Sequence, residues 1–83
     1  MKIVLNRCFG GYGISDKFPA LQNRERTDPV LIEWVERDSK AVSGYCAKLE
    51  VIEIPDTATD YEINDYDGME TLIYVVDGKI HWS

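Results

Sequence analysis

The stretch that decides the fold is Tyr61-Glu62-Ile63-Asn64-Asp65-Tyr66-Asp67-Gly68-Met69-Glu70-Thr71-Leu72-Ile73-Tyr74-Val75-Val76-Asp77-Gly78-Lys79-Ile80-His81-Trp82. It contains two Asp-Gly pairs, each flanked by runs of β-branched and aromatic residues. Asp-Gly between such runs is a strong hairpin signal, because both residues tolerate the positive φ of a tight primed turn. The stretch therefore predicts a three-stranded antiparallel meander over residues 61–66, 69–76 and 79–82.

The register of this meander contains one conflict. With two-residue loops, Ile63 faces Leu72, and the other aromatic and aliphatic partners match well across the strands. Asp65, however, comes directly opposite Glu70, and like charges in that position destabilise a hairpin. Either a positive group satisfies this tip, or the turn is irregular.

Upstream of the meander, residues 2–6 and 47–54 each predict a strand. The first is a short apolar run that stops at the glycine cluster of residues 10–13. In the second, the alternation of apolar and polar residues slips after Val51. Either a β-bulge or a strand covered on both faces would explain this slip.

One main helix is predicted between these two strands. Thr27 or Asp28 is a favourable N-cap and Pro29 suits the first helical turn, while Gly44 is a natural stop. We therefore expect a helix over about residues 28–43, and the serines near its end leave open a break near Asp38. The fold class that follows is α+β, with residues 1–83 forming a single small domain that has an N-terminal strand, a glycine-rich loop, this helix and a mostly antiparallel sheet.

Size and composition restrict the function. The chain has 83 residues and a mass of 9.5 kDa, with 45% hydrophobic and 29% charged residues, which is the balance of one globular domain. A chain of this length is too short for a multidomain enzyme, and it cannot enclose a deep cleft alone. A sizeable ligand site would need a second subunit, so we expect a homo-oligomer. The formal net charge of −6 opposes nonspecific nucleic-acid binding.

The charge is divided unevenly along the chain. Residues 1–49 hold eight Lys and Arg against six Asp and Glu, whereas residues 50–83 hold one against nine. This division predicts one mildly basic and one acidic face. The acidic face either keeps the protein soluble or docks a basic protein surface.

Targeting, membrane and metal signals are not seen in the sequence. The apolar run after Met1 is too short for a signal-peptide core or a membrane span, so we expect a cytoplasmic protein with no membrane association. Cys8 and Cys46 are not spaced as a Cys-x-x-Cys motif and are interpreted as reduced thiols. With one histidine there is no zinc-site pattern, and we expect neither a metal nor a cofactor.

The glycine-rich loop is the leading candidate for a ligand site. Glycines expose backbone N–H groups, which can hold a phosphate, and the basic half of the chain is its natural location. The loop matches neither common phosphate-binding fingerprint, so a tight turn that only glycine can form is the alternative. The predicted ligand-binding residues are Arg7, Cys8, Phe9, Gly10, Gly11, Tyr12, Gly13 and Ser15.

Two further groups of side chains are candidates for a functional role. Asp65, Asp67 and Glu70 cluster at the first hairpin tip and form the predicted protein-contact surface, although an ordinary solvated tip is the simpler interpretation and the spacing is not that of an EF-hand. Cys8 with His81 is a conceivable nucleophilic pair, which would make the chain a small enzyme. No third group that would orient such a pair is evident in the sequence.

Three blocks of the chain resemble a family of small bacteriophage and prophage proteins without an assigned activity. The blocks are residues 2–15 with Cys-Phe-Gly-Gly, residues 28–33, and the stretch from residues 47–56 to the Asp-Tyr-Asp-Gly of residues 65–68. Residues 18–26 and the last five residues depart from the family pattern. The family supplies no functional residue to transfer.

The resemblance implies a function at the level of class. Small acidic phage accessory proteins resemble binding agents aimed at the host, so the leading expectation is a counter-defence binding protein in the host cytoplasm. It would sequester a nucleotide-like, phosphate-bearing small molecule, and it would not be an enzyme. The alternative is an acidic protein–protein inhibitor of a host defence or nucleic-acid-binding protein, and the third is a small enzyme that uses Cys8 or His81.

Overall fold

One α-helix and two antiparallel sheets form the fold, and the predicted α+β class is confirmed. The computed structural model describes residues 1–83. In chain order the elements are β1 (Lys2–Asn6), a 3-10 turn (Pro19–Leu21), α1 (Pro29–Val42), β2 (Leu49–Glu53), β3 (Asp60–Tyr66), β4 (Met69–Val76) and β5 (Lys79–Trp82). The strands divide into a β1–β2 sheet and a β3–β4–β5 sheet, so the sheet expected from the sequence is in fact two.

The β1–β2 sheet lies in the middle of the molecule and is covered on both faces. Val4 and Leu49 pack with the helix in one apolar cluster, whereas Ile3 and Ile52 pack with Leu72 of β4 in another. Adjacent residues of a strand point to opposite faces, so a strand covered on both faces has apolar residues on both, as Val51 and Ile52 are in β2. The slip in alternation after Val51 is therefore explained by a strand that is covered on both faces. Residues Lys2 to Asn6 pair one for one with β2, so there is no bulge.

The meander has the predicted register. Ile63 lies opposite Leu72, Ile73 opposite Trp82, and Asp65 opposite Glu70. Asp67 and Asp77 each have a φ of 51°, and the glycines that follow them are also at positive φ, as a primed turn requires. Both Asp-Gly hairpins are thus confirmed.

Helix α1 begins and ends close to the predicted positions. The Asp28 carboxylate accepts hydrogen bonds from the backbone N–H groups of Val30 and Leu31, at 2.8 and 3.1 Å. These bonds, that of Leu31 first, hold the pKa of Asp28 below its usual range. Asp38 leaves the helical conformation (φ −156°, ψ 75°), yet the helix resumes and continues to Val42. The helix is therefore interrupted at Asp38 and continues beyond it. No helix in the structure has the length and apolar character that crossing a bilayer needs.

Candidate functional site

The glycine-rich loop starts at Asn6, a buried residue that holds three chain segments together. Its side-chain Nδ2 donates to the carbonyls of Cys8 and Gly68, at 2.7 and 2.6 Å, and its Oδ1 accepts from the backbone N–H of Lys48 at 2.8 Å. Asn6 is fully buried, so these bonds are made in a low-dielectric environment where an unpaired amide would be costly. The start of the loop is therefore attached rigidly to the first hairpin turn and to β2.

A buried ion pair lies beside this residue. Both carboxylate oxygens of Glu70 accept from the Arg26 guanidinium, at 2.7 and 2.8 Å, and Oε1 also accepts from the Asn6 backbone N–H at 2.8 Å. Of the two explanations for the pairing of Asp65 with Glu70, the positive group is the one observed, and it is Arg26. Glu70 is only 3% exposed, so it does not belong to the acidic tip, and the predicted protein-contact surface there is reduced to Asp65 and Asp67.

Tyr12 of the loop lies against the same ion pair. The Arg26 guanidinium carbon is 3.6 Å from the centroid of the Tyr12 ring, which is a close cation–π contact. The hydroxyl of Tyr12 is buried and has no hydrogen-bond partner. Burial raises the pKa of this phenol, and the positive charge of Arg26 partly opposes the rise. Tyr12 and Arg26 therefore serve packing, and Arg26 is not free to bind an anion.

The glycines of the loop, and those of the turns that contact it, are required for different structural reasons. A Cβ on Gly68 of the hairpin turn would lie 2.2 Å from the Gly11 nitrogen, and one on Gly10 would lie 2.6 Å from the Cys46 Cβ. One on Gly44 would lie 3.0 Å from the Gly13 carbonyl carbon. Within the loop itself, close approach explains only Gly10, because a Cβ on Gly11 or Gly13 would meet nothing within 4 Å. Gly10 and Gly11 have φ values of 124° and 114°, which fit the alternative of a tight turn that only glycine can form.

Part of the loop nevertheless keeps free hydrogen-bond donors. The Gly10 N–H donates to the Asp67 carbonyl at 3.0 Å, but the N–H groups of Gly11, Tyr12 and Gly13 make no hydrogen bond within the chain. Backbone donors without a protein acceptor must bond to water or to a ligand. Three such groups in succession could take up an anion.

A shallow basic cleft adjoins the end of the loop. Gly44 donates its N–H to the Gly13 carbonyl at 2.9 Å. A cavity of about 440 Å³ is lined there by Ser39, Lys40, Ser43, Gly44, Ala47 and Lys48. Lys40 and Lys48 are exposed and form no ion pair, and there is no acidic residue in the lining. This cleft is a place where positive charge is not neutralised by the protein.

The arginines of residues 1–49 differ in whether a carboxylate balances their charge. Arg24 is paired with Asp28 at 3.1 Å, as Arg26 is with Glu70. Arg7 donates through one guanidinium nitrogen to the Glu70 carbonyl at 3.1 Å and forms no ion pair. Arg7 is therefore the one arginine near the start of the loop whose charge is not balanced by a carboxylate.

Exposed aromatic rings lie on both sides of the loop. Tyr45, next to Gly44, is fully exposed. Phe9 is 57% exposed and makes an edge contact with Tyr66 of β3, with ring centroids 6.4 Å apart. Rings in such positions can stack on a nucleobase or enter a pocket of a partner.

The structure keeps the remaining reactive candidates apart. Cys8 lies beside Gly68, because Asn6 Nδ2 bonds both carbonyls. His81 stacks on Tyr74 of β4. Tyr74 comes six residues after Gly68, so His81 lies about 20 Å along the strand from Cys8. The conceived Cys8–His81 pair does not form. No three His, Cys, Asp or Glu side chains come together as a metal site either.

Sequence reasoning missed the two features that organise this region. The Arg26–Glu70 pair joins residues far apart in sequence, and its one signal was the unfavourable pairing of Asp65 with Glu70. The Lys40–Lys48 cleft had no sequence signal, since Lys40 lies in α1 and Lys48 in the loop before β2. Comparison with protein-family models, with curated proteins and with solved structures finds no match to this chain.

Proposed function

We propose that the protein is a phage-encoded accessory binding protein that sequesters a nucleotide-like, phosphate-bearing small molecule in counter-defence. The observation that carries the proposal is the cleft of Lys40 and Lys48 at the end of the glycine loop, whose positive charges have no carboxylate partner. The phage origin and a host-cytoplasmic location rest on the resemblance of the Cys-Phe-Gly-Gly and Asp-Tyr-Asp-Gly blocks. Binding without catalysis is the proposed activity.

Charge and hydrogen bonding support this assignment. Two lysines give a phosphate point charges, and the free N–H groups of the adjacent Gly11–Gly13 segment add donors. The acidic residue Asp67 lies at the opposite end of the loop, where its backbone carbonyl accepts from the Gly10 N–H. A phosphate is therefore better placed towards Gly13 than towards Gly10.

The nucleotide class is supported by an aromatic ring. Tyr45 is fully exposed and adjoins Gly44 of the cleft. Stacking of a base on an exposed tyrosine contributes on the order of 1–3 kcal/mol. The cleft is open to solvent, so a second subunit that closes over it would improve binding, which is why we propose a homo-oligomer.

Thermal denaturation with a panel of mono- and dinucleotides, linear and cyclic, tests the proposal. A ligand at about one hundred times its Kd should raise the Tm of an 83-residue domain by roughly 10–20 °C. The Lys40→Ala/Lys48→Ala double variant should lose this rise, because it removes both charges of the cleft. Tyr45→Ser should reduce the rise for nucleotides but not for inorganic pyrophosphate.

Lys79→Ala is the matched control. Lys79 is also exposed and unpaired but lies on β5, outside the cleft lining, so this variant should keep the full rise. No rise with any nucleotide of the panel would refute the proposal. An equal loss in Lys79→Ala would mean that only the overall charge matters.

A further inference from the structure

The outer face of the meander is an apolar surface without a cover. Leu72 and Ile63 point towards the β1–β2 sheet and pack there. Alternation along the strands places Ile73, Val75, Ile80 and Trp82 on the opposite face, and the pairing of Ile73 with Trp82 and of Val75 with Ile80 brings them together. Ile80 and Trp82 are 66% and 64% exposed.

Such a face is unusual for a sheet in a small domain. A sheet is stabilised when its apolar face packs against another layer, and α1 supplies that layer only for β1 and β2. The four side chains form a strip over two adjacent strands, about 10 Å wide, which matches the diameter of a helix. Contiguous exposed apolar residues of this kind commonly mark an interaction site.

The rim of the strip is acidic. Asp60 and Glu62 of β3 lie on the same face as the strip, opposite Val75 and Ile73. A groove of about 190 Å³ runs between them and the apolar residues. Neither carboxylate forms an ion pair. No Lys or Arg occupies this face, since Lys79 pairs with Val76 and points to the inner side.

We infer that this outer face docks a basic amphipathic helix of a partner protein. The apolar side of the helix covers the strip, and its Lys or Arg residues lie along the flank that meets Asp60 and Glu62. A second copy of this chain is a poor occupant, because face-to-face contact would bring two more unpaired carboxylates to a surface that already has two. The inference is independent of the nucleotide proposal, since the cleft lies on other elements.

Fluorescence anisotropy with a labelled peptide tests the inference. The probe is an amphipathic helix-forming peptide of about 15 residues, with leucines on one side and lysines along one flank. A reference peptide has glutamates in place of the lysines. We expect the lysine peptide to bind at least about fivefold more tightly, and the difference to shrink at high salt.

Variants of the protein locate the contact. Ile80→Ser should weaken binding about tenfold, and Glu62→Lys about fivefold. Both residues are exposed, so the variants should fold, which circular dichroism verifies. Glu53→Lys is the charge-matched control, because Glu53 is an exposed residue of the β1–β2 sheet, and it should bind as the parent does.

Three outcomes would overturn the inference. The first is failure of the lysine peptide to show saturable binding, and the second is equal binding of the lysine and glutamate peptides. The third is a dimer of the parent protein, measured by analytical ultracentrifugation, that Ile80→Ser converts to a monomer, since a second copy would then cover the strip.

Discussion

At the scale of single residues, Glu70 shows how burial changes the role of a charge. Its sequence neighbourhood is the acidic hairpin tip, yet its side chain points inward and both of its oxygens bond Arg26. Asp65, directly opposite on β3, remains exposed and accepts the turn N–H of Gly68 at 2.8 Å. The two carboxylates lie on the same face of the hairpin, but Glu70 is buried against Arg26, whereas Asp65 stays exposed to solvent.

Substitution of these two residues should therefore have unequal effects. Glu70→Gln keeps the shape of the side chain but leaves Arg26 without a counter-charge, so the free energy of unfolding should fall by about 2 kcal/mol or more. Asp65→Asn, which keeps an acceptor for Gly68 in solvent, should change it by about 0.5 kcal/mol at most. Urea denaturation of both variants checks this, and equal losses would contradict the assigned roles.

At the scale of elements, the two Asp-Gly hairpins have the same local geometry but different surroundings. The first turn packs against the glycine loop, where a Cβ on Gly68 would collide with the Gly11 backbone at 2.2 Å. The second turn has nothing within 4 Å of a Cβ on Gly78. One hairpin is therefore a contact between distant parts of the chain, whereas the other only reverses its direction.

Alanine at the two turn glycines separates local strain from packing. Both positions have positive φ, so each substitution costs on the order of 1 kcal/mol for backbone conformation. Gly68→Ala must also push the turn away from the loop, and it should cost about 2 kcal/mol more than Gly78→Ala. Chemical denaturation of the pair measures the difference. Indistinguishable stabilities would show that the turn and the loop do not pack as described.

At the scale of the whole molecule, β1 and β2 connect two apolar layers. The helix covers one face of this sheet and the meander covers the other, so neither layer can be lost without exposing the strands between them. Leu31 in α1 and Leu72 in β4 are both fully buried, one in each layer. The protein should therefore unfold as one cooperative unit.

Cooperativity is tested by one truncation in each layer. Leu31→Ala and Leu72→Ala should each lower the free energy of unfolding by about 2–5 kcal/mol. In either variant, NMR amide signals of α1 and of β4 should disappear at the same urea concentration. If Leu72→Ala shifted only the signals of the meander, the two layers would be separate folding units.

The sequence by itself determined the local elements of this protein. Asp-Gly pairs and a capped Asp-Pro start depend on the conformational preferences of adjacent residues, so the meander register and the helix start could be predicted. Only the tertiary structure decided which charges remain available. Arg26 and Glu70 are 44 residues apart and neutralise each other, while Lys40 and Lys48 come together without a counter-charge. Contacts of this kind depend on how the layers stack, which no local pattern encodes, and the same stacking leaves the outer face of the meander bare.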